Sequence, residues 1–158
     1  MSYTSLHNHT EYSNLRLLDC INKVEDLIER AHSLGLNGLA ITDHEALSAH
    51  IKALRFYNQK SKDNEDWSNF KLILGNEIYL CRDGLNAETY QKGEKFPHFI
   101  LLAKDAIGHR QLRELSTRAW SHSFTMFMTR VPTYYKDIEE VIGAEPGHVI
   151  ASTACIGG

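Results

Sequence analysis

Short apolar runs alternate with helical-period segments along this 158-residue chain, and that alternation constrains the fold more than any other feature. Residues 3–8 read as a short strand. Val24, Leu27, Ile28, Ala31 and Leu34 recur at helical spacing, with Asn22 and Glu25 as an N-cap pair and Gly35 as the stop. Residues 39–42 form a continuous apolar run, the mark of a strand buried on both faces. Leu47, Ile51 and Leu54 predict a second helix, and the polar stretch 61–69 a loop. Residues 72–80 read as a third strand broken at Gly75, and residues 99–103 as a fourth. A helix opens near Asp105 and carries Ile107, Leu112, Leu115 and Ala119. Thr133 is read as the cap of a short helix ending at Gly143, and residues 149–152 as the last strand. The β-α-β-α order implies an α/β fold with a parallel sheet and helical crossovers, either doubly wound or closed into a barrel. Repeats, low-complexity tracts and proline-rich linkers are absent, and the length suits one domain.

In such folds chemistry collects where strands end. His7 and His9 are two apart, and residues two apart in a strand face the same way, so two imidazoles can converge on one point. Asp43 and His44 follow the run Leu39-Ala40-Ile41-Thr42. Glu77 lies near the end of the third strand, and Cys155 falls three residues past the last. Neutral imidazole binds zinc, iron and manganese well, so this recurrence points to a metal floor. A lone His-x-His is a chance event in a chain with nine histidines; its convergence with a second strand end carries the argument.

Composition excludes several classes. The formal charge of -3 gives no global attraction to nucleic acid, so DNA contact would need a local patch or a metal. Three widely spaced cysteines argue against a disulfide framework and for a reducing compartment. Polar and imidazole residues begin almost at once, unlike a signal peptide, and no apolar stretch approaches the roughly 20 residues of a membrane span. A cytoplasmic protein without membrane contact is expected.

Five ordered motifs carry a family resemblance: His7-Asn-His9-Thr-Glu-Tyr-Ser, Ile41-Thr-Asp-His44, Gly75-Asn-Glu77, His98-Phe-Ile-Leu-Leu-Ala-Lys and Ser152-Thr-Ala-Cys155-Ile-Gly-Gly. Together they resemble the N-terminal polymerase-and-histidinol-phosphatase (PHP) domain of the alpha subunit of bacterial DNA polymerase III. Leu101-Leu102-Ala103-Lys104 with the Gly108 helix is more typical of the polymerase branch than of free-standing phosphatases. So is Cys155, where the phosphatase branch usually has histidine. The resemblance implies a parallel β/α barrel of the PHP type, distorted and seven-stranded in the family. It implies metal ligands His7, His9, Asp19, His44, Glu77, His98 and Cys155. It also implies a cluster of divalent ions, zinc or manganese with iron or magnesium as further candidates. DNA, the polymerase core and replisome subunits are the implied partners.

Two departures stand out. Asn14-Leu15-Arg16 is an extra stretch that sets Asp19 further from His9 than is usual. The family's last two ligands, an aspartate and a histidine, come from a strand beyond residue 158, so residues 1–158 are expected to be the N-terminal portion of a PHP domain without the polymerase core. Such an incomplete barrel would expose sheet edges that favour dimers, and would hydrolyse poorly without its third-ion ligands.

Three functional readings follow. The first is a replicative polymerase whose PHP domain either proofreads as a metal-dependent 3′–5′ exonuclease, attacking through metal-bound hydroxide, or supports the polymerase. The second is a free-standing metal-dependent phosphoesterase of the histidinol-phosphatase type. The third is a non-catalytic docking module with a structural metal. Asp43 is either a ligand or the residue that orients the site or caps the next helix. Glu77 is either a ligand or simply exposed. Cys155 is either a thiolate ligand or a small buried hydrophobe. Cys20 and Cys81 read as inert. His32, His50, His109, His122 and His148 read as surface or capping residues, with His32 solvated. Arg110, Arg113, Arg118 and Arg130 form either a DNA-facing group or a solvated face, and Trp67 and Trp120 fall in or near polar segments.

Overall fold

The computed structural model describes residues 3–62, 64–126 and 128–154. The chain divides into two compact units, residues 1–76 and 77–158.

In the first unit a short strand, β1 (Thr4–Ser5), is followed by a 3-10 helix at Glu11–Leu15, α1 (Val24–Ser33), β2 (Gly38–Ile41) and α2 (Ala49–Ser61). A second 3-10 turn (Glu65–Trp67) leads into β3 (Lys71–Cys81), on which the division between units falls. β1, β2 and β3 are parallel neighbours, with Thr4 opposite Gly38 and Ile41 opposite Leu74. Every residue of β2 is buried, as its unbroken apolar character requires. α1 buries Val24, Ile28 and Ala31 on one face. It ends in a Schellman turn: the Leu36 N–H donates to the Ala31 carbonyl and the Gly35 N–H to the His32 carbonyl, with Gly35 at φ +73. Its N-cap is Lys23 rather than Asn22, with no side-chain cap bond; the Asn22 amide instead donates to Cys20 Sγ at 3.4 Å.

The buried face of α2 differs from the one its leucines and isoleucine predict. Ile51 is 66% exposed, while Ala49, His50 and Ala53 are buried and Phe56 and Tyr57 pack against the core. Two small alanines let α2 lie close to α1, and Trp67 and Phe70 fill the remaining space. Trp67 is therefore core in spite of its polar neighbours. His32, expected to be solvated, is half-buried and stacks on it at 4.0 Å between centroids. His50, expected at the surface, is buried with Nε2 2.9 Å from the Gly75 carbonyl. β3 runs through Gly75 without a break.

The second unit contains the rest of β3, then β4 (His98–Ala103), α3 (Ala106–Ser121), and a small hairpin of β5 (Phe124–Thr125) and β6 (Thr129–Arg130). β7 (Pro132–Tyr134), α4 (Tyr135–Val141) and β8 (Val149–Thr153) complete it. α3 opens as expected: the Asp105 carboxylate accepts from the Gly108 N–H at 2.9 Å, and Leu112, Leu115 and Ala119 are buried. Thr133 caps nothing; it is buried in β7, and α4 starts without a side-chain cap.

The wholly parallel sheet does not hold. β7 pairs parallel with β3, but β8 runs antiparallel to β4, from Phe99 opposite Thr153 to Ala103 opposite Val149. The cause is where the chain re-enters. The Lys104 N–H donates to the His148 carbonyl and the Lys104 ammonium to the Gly147 carbonyl, so β8 starts at the end where β4 leaves. The fold is mixed α/β.

Candidate metal centre

Strand β1 ends at Ser5, so His7 and His9 sit on the loop beyond it, not on the pleat. Their Nε2 atoms nevertheless face each other at 3.0 Å. Hydrogen bonds to the loop do what strand geometry was expected to do. The Asn8 N–H donates to Thr42 Oγ1 at 2.9 Å and the Thr42 N–H returns to the Asn8 carbonyl at 2.9 Å. These bonds pin the loop to the residue that follows β2.

Asp43 is the centre of this arrangement. It is fully buried, and its carboxylate accepts from the Thr10 N–H (2.6 Å), the Thr10 hydroxyl (2.8 Å) and the Ser13 hydroxyl (2.8 Å). Of its two sequence readings, orienting the site is the one these bonds describe. Ser13 is the second hub: its Oγ also accepts from the His44 N–H at 3.2 Å and lies 3.0 Å from His9 Nδ1. A hydroxyl has one proton, and Ser13 gives it to Asp43. His9 Nδ1 must therefore carry the proton it shares with Ser13, which leaves the Nε2 lone pair directed outward. Thr10 and Ser13 both lie within the first motif; two hydroxyls three residues apart, one capping and one inside the 3-10 helix, were the available signal for this role.

Asp19, expected to lie further from His9 than is usual, reaches the same cluster. Its Oδ2 lies 2.9 Å from His44 Nε2, and the His44 ring stacks on His9 at 4.2 Å. Asn14 closes the detour, since its Oδ1 accepts from the N–H groups of Asp19 and Cys20 at 3.1 Å each. In the first unit His7 and His9 thus face each other, His44 stacks on His9, and Asp19 pairs with His44.

In the second unit Glu77 is neither exposed nor at a strand end: it is 1% exposed and interior to β3. It does lie past Leu74, where the parallel ladder with β2 stops. His98 opens β4, one residue earlier than predicted, and its Nδ1 is 2.8 Å from Glu77 Oε1 while Tyr79 packs edge-on against its ring. Cys155 lies outside the described residues.

The remaining candidates have structural partners. Lys52 bridges Glu25 (2.8 Å) and Glu11 (3.1 Å), which push its ammonium above the usual lysine range. Arg110 pairs with Glu145, and Arg118 with Glu140, Glu114 and Asp137; Arg130 lies over the Phe96 ring. Most of this basic group is thereby matched by carboxylates or an aromatic face and offers little bare positive surface. His122 stacks on Tyr134, and His148 pairs with Asp105 at 2.7 Å. Burial, then Arg113, lowers the pKa of His109. Cys20 is not inert in geometry: its thiol donates to the His9 carbonyl at 3.1 Å. Among the described residues no helix is long and apolar enough to cross a membrane.

The sequence matches the PHP domain family across residues 5–158. The chain belongs to the PHP family. This PHP domain is 52% identical over 155 residues to the "Probable DNA polymerase YorL" of Bacillus subtilis strain 168, covering 96% of the chain and 12% of that protein. It is 32% identical over 157 residues to the DNA polymerase III subunit alpha of Helicobacter pylori strain 26695, covering 99% of the chain and 11% of that protein. The chain thus spans about an eighth or less of the polymerases it matches. A crystal structure described as a "putative metal-dependent phosphoesterase", from Bifidobacterium adolescentis, shares the fold at TM-score 0.50 and 20% identity, over 76% of this chain and 34% of that one.

Proposed function

We propose that this PHP domain serves a bacterial replicative polymerase of the DNA polymerase III alpha class. In this reading it holds divalent ions, zinc or manganese, through His7, His9, Asp19, His44, Glu77 and His98, with Cys155 as a further ligand. The observation that carries the reading is the run of facing donor atoms from His7 Nε2 to His9 Nε2 and from His44 Nε2 to Asp19 Oδ2. Zinc–nitrogen bonds of about 2.0–2.1 Å in a tetrahedral site set two ligand nitrogens roughly 3.3–3.4 Å apart. The 3.0 Å between His7 and His9 needs only a small spreading to admit an ion. The donor chemistry fits as well, since mixed imidazole and carboxylate sites suit zinc and tolerate manganese.

Bound divalent ions polarise water and offset the charge on phosphate oxygens. The protein's part is to hold the donors: Ser13 fixes the His9 tautomer, Asp43 fixes Ser13 and Thr10, and Asn14 fixes the approach of Asp19. The proposed reaction is hydrolysis of the terminal phosphodiester at the 3′ end of DNA, with DNA and the polymerase's other parts as partners. The likeness to polymerases over nearly the whole chain supports this choice of substrate over a small phosphate monoester. The test is stepwise shortening of 5′-labelled single-stranded DNA in manganese. The proposal predicts slow shortening, in keeping with the poor hydrolysis expected of residues 1–158 alone, that disappears in His9→Ala while the circular dichroism spectrum is kept; shortening equal in both proteins contradicts it.

A further inference from the structure

The turn that carries His44 is held by a residue pair that no ligand motif contains. Glu45 has φ 51, the left-handed region, and is the one non-glycine residue there among the described residues. Glutamate has no intrinsic preference for that backbone, so its surroundings must impose it. Its side chain, 2% exposed, forms an ion pair with the Arg16 guanidinium, itself 5% exposed. Arg16 belongs to the extra stretch Asn14-Leu15-Arg16 before Asp19, and its N–H donates to the Ser13 carbonyl at 2.9 Å. In the same stretch the Asn14 side chain accepts from the Asp19 and Cys20 N–H groups and donates to the Cys20 carbonyl at 2.5 Å. One short segment therefore grips both arms of the Asp19–His44 pair: Asn14 holds the backbone of Asp19, and Arg16 holds the residue after His44.

We infer that Arg16 is a positioning residue, and that its buried ion pair with Glu45 is a latch setting the approach of Asp19 to His44 and so the affinity of that pair for a divalent cation. The inference rests on the reading of Asp19 and His44 as ligands. A buried ion pair contributes little net stability, but removing one partner leaves an uncompensated charge. Removing Arg16 alone takes away the ion-pair partner of Glu45 and with it one of the contacts that hold the His44 turn. Removing both charges and the backbone demand together lets the turn stand without the latch.

The test compares the full chain with Arg16→Met, Arg16→Lys and the double variant Arg16→Met/Glu45→Gly. Three properties are read: Mn2+ affinity by calorimetry, the visible spectrum of the Co2+-loaded protein, and the imidazole 15N shifts of His44 without metal. Arg16→Met is expected to weaken Mn2+ binding about tenfold or more, the scale seen when outer partners of metal ligands are lost. It should also change the Co2+ spectrum and move the His44 shifts. Arg16→Lys keeps the charge but not the planar fork, and should recover part of the affinity. The double variant should return to within about threefold of the parent, because the two positions are coupled. A folded Arg16→Met protein with affinity, spectrum and His44 shifts all unchanged overturns the latch. If the parent binds no metal, the ligand reading fails separately. The metal-free His44 shifts then judge the latch alone, supporting it if Arg16→Met moves them and overturning it if they stay.

Discussion

The two units hold their ligand-type residues in opposite ways. In the first, His7, His9, Asp19 and His44 all sit outside the strands, and side-chain hydrogen bonds from Asn14, Asp43 and Ser13 set their positions. In the second, Glu77 and His98 sit on strand backbones, and the ladder positions them before any side chain does. A loop-borne site depends on a polar scaffold that costs stability when disturbed, whereas a strand-borne pair depends on sheet and helix packing. The two should therefore fail to different substitutions.

The largest effect is expected at Asp43. Asp43→Ala leaves the Thr10 N–H, the Thr10 hydroxyl and the Ser13 hydroxyl without their buried acceptor, and should cost about 3 kcal/mol in urea unfolding. Metal binding by the first-unit residues should disappear with it. Wild-type stability in that variant would break the comparison.

Gly108 is the matching probe of the second unit. A Cβ there would overlap the His148 carbonyl oxygen where α3 passes the start of β8. Gly108→Ala should cost about 2 kcal/mol by overpacking, measured by the same unfolding experiment. An unchanged midpoint would show that this turn yields freely.

Ser13→Ala sharpens the comparison at the site itself. Removing the hydroxyl frees His9 Nδ1 to change tautomer, so divalent-ion affinity should fall about tenfold with little change in fold. Isothermal titration with Mn2+ reads this directly, and an unchanged affinity would remove Ser13 from the account.

The smallest effect concerns pH. The Asp105 carboxyl is held below its ordinary value of 3.8 by the Gly108 N–H and then by His148. A depressed carboxyl contributes stability above its unfolded value and loses it as pH falls through the folded value. Thermal midpoints should therefore drop through the acid range below 3.8, and Asp105→Ala should make that drop shallower. Parallel curves for the two proteins would contradict the assignment.

The sequence made some of this legible and hid the rest for identifiable reasons. α1 and β2 were readable because Val24, Ile28 and Ala31 keep a helical period and Leu39, Ala40 and Ile41 are buried on both faces. β5, β6 and β7, of two or three residues each, are too short to show any period. His32, His50 and Trp67 lie among polar residues but are drawn inward by ring stacking and a hydrogen bond to the Gly75 carbonyl. At the site, parity along a strand brought His7 and His9 together for the wrong reason, since β1 ends before either. Arg16 and Glu45 gave no signal, because both lie outside the five motifs and the turn at Glu45 takes a backbone region a glutamate rarely occupies.

The most direct measurement is the metal content of the purified chain by elemental analysis, beside a His7→Ala/His9→Ala control. The account predicts about one to two equivalents of zinc or manganese in the parent, lost in the control, since the proposed chemistry needs at least one bound ion. Equal metal in both proteins, or none in either, would contradict it.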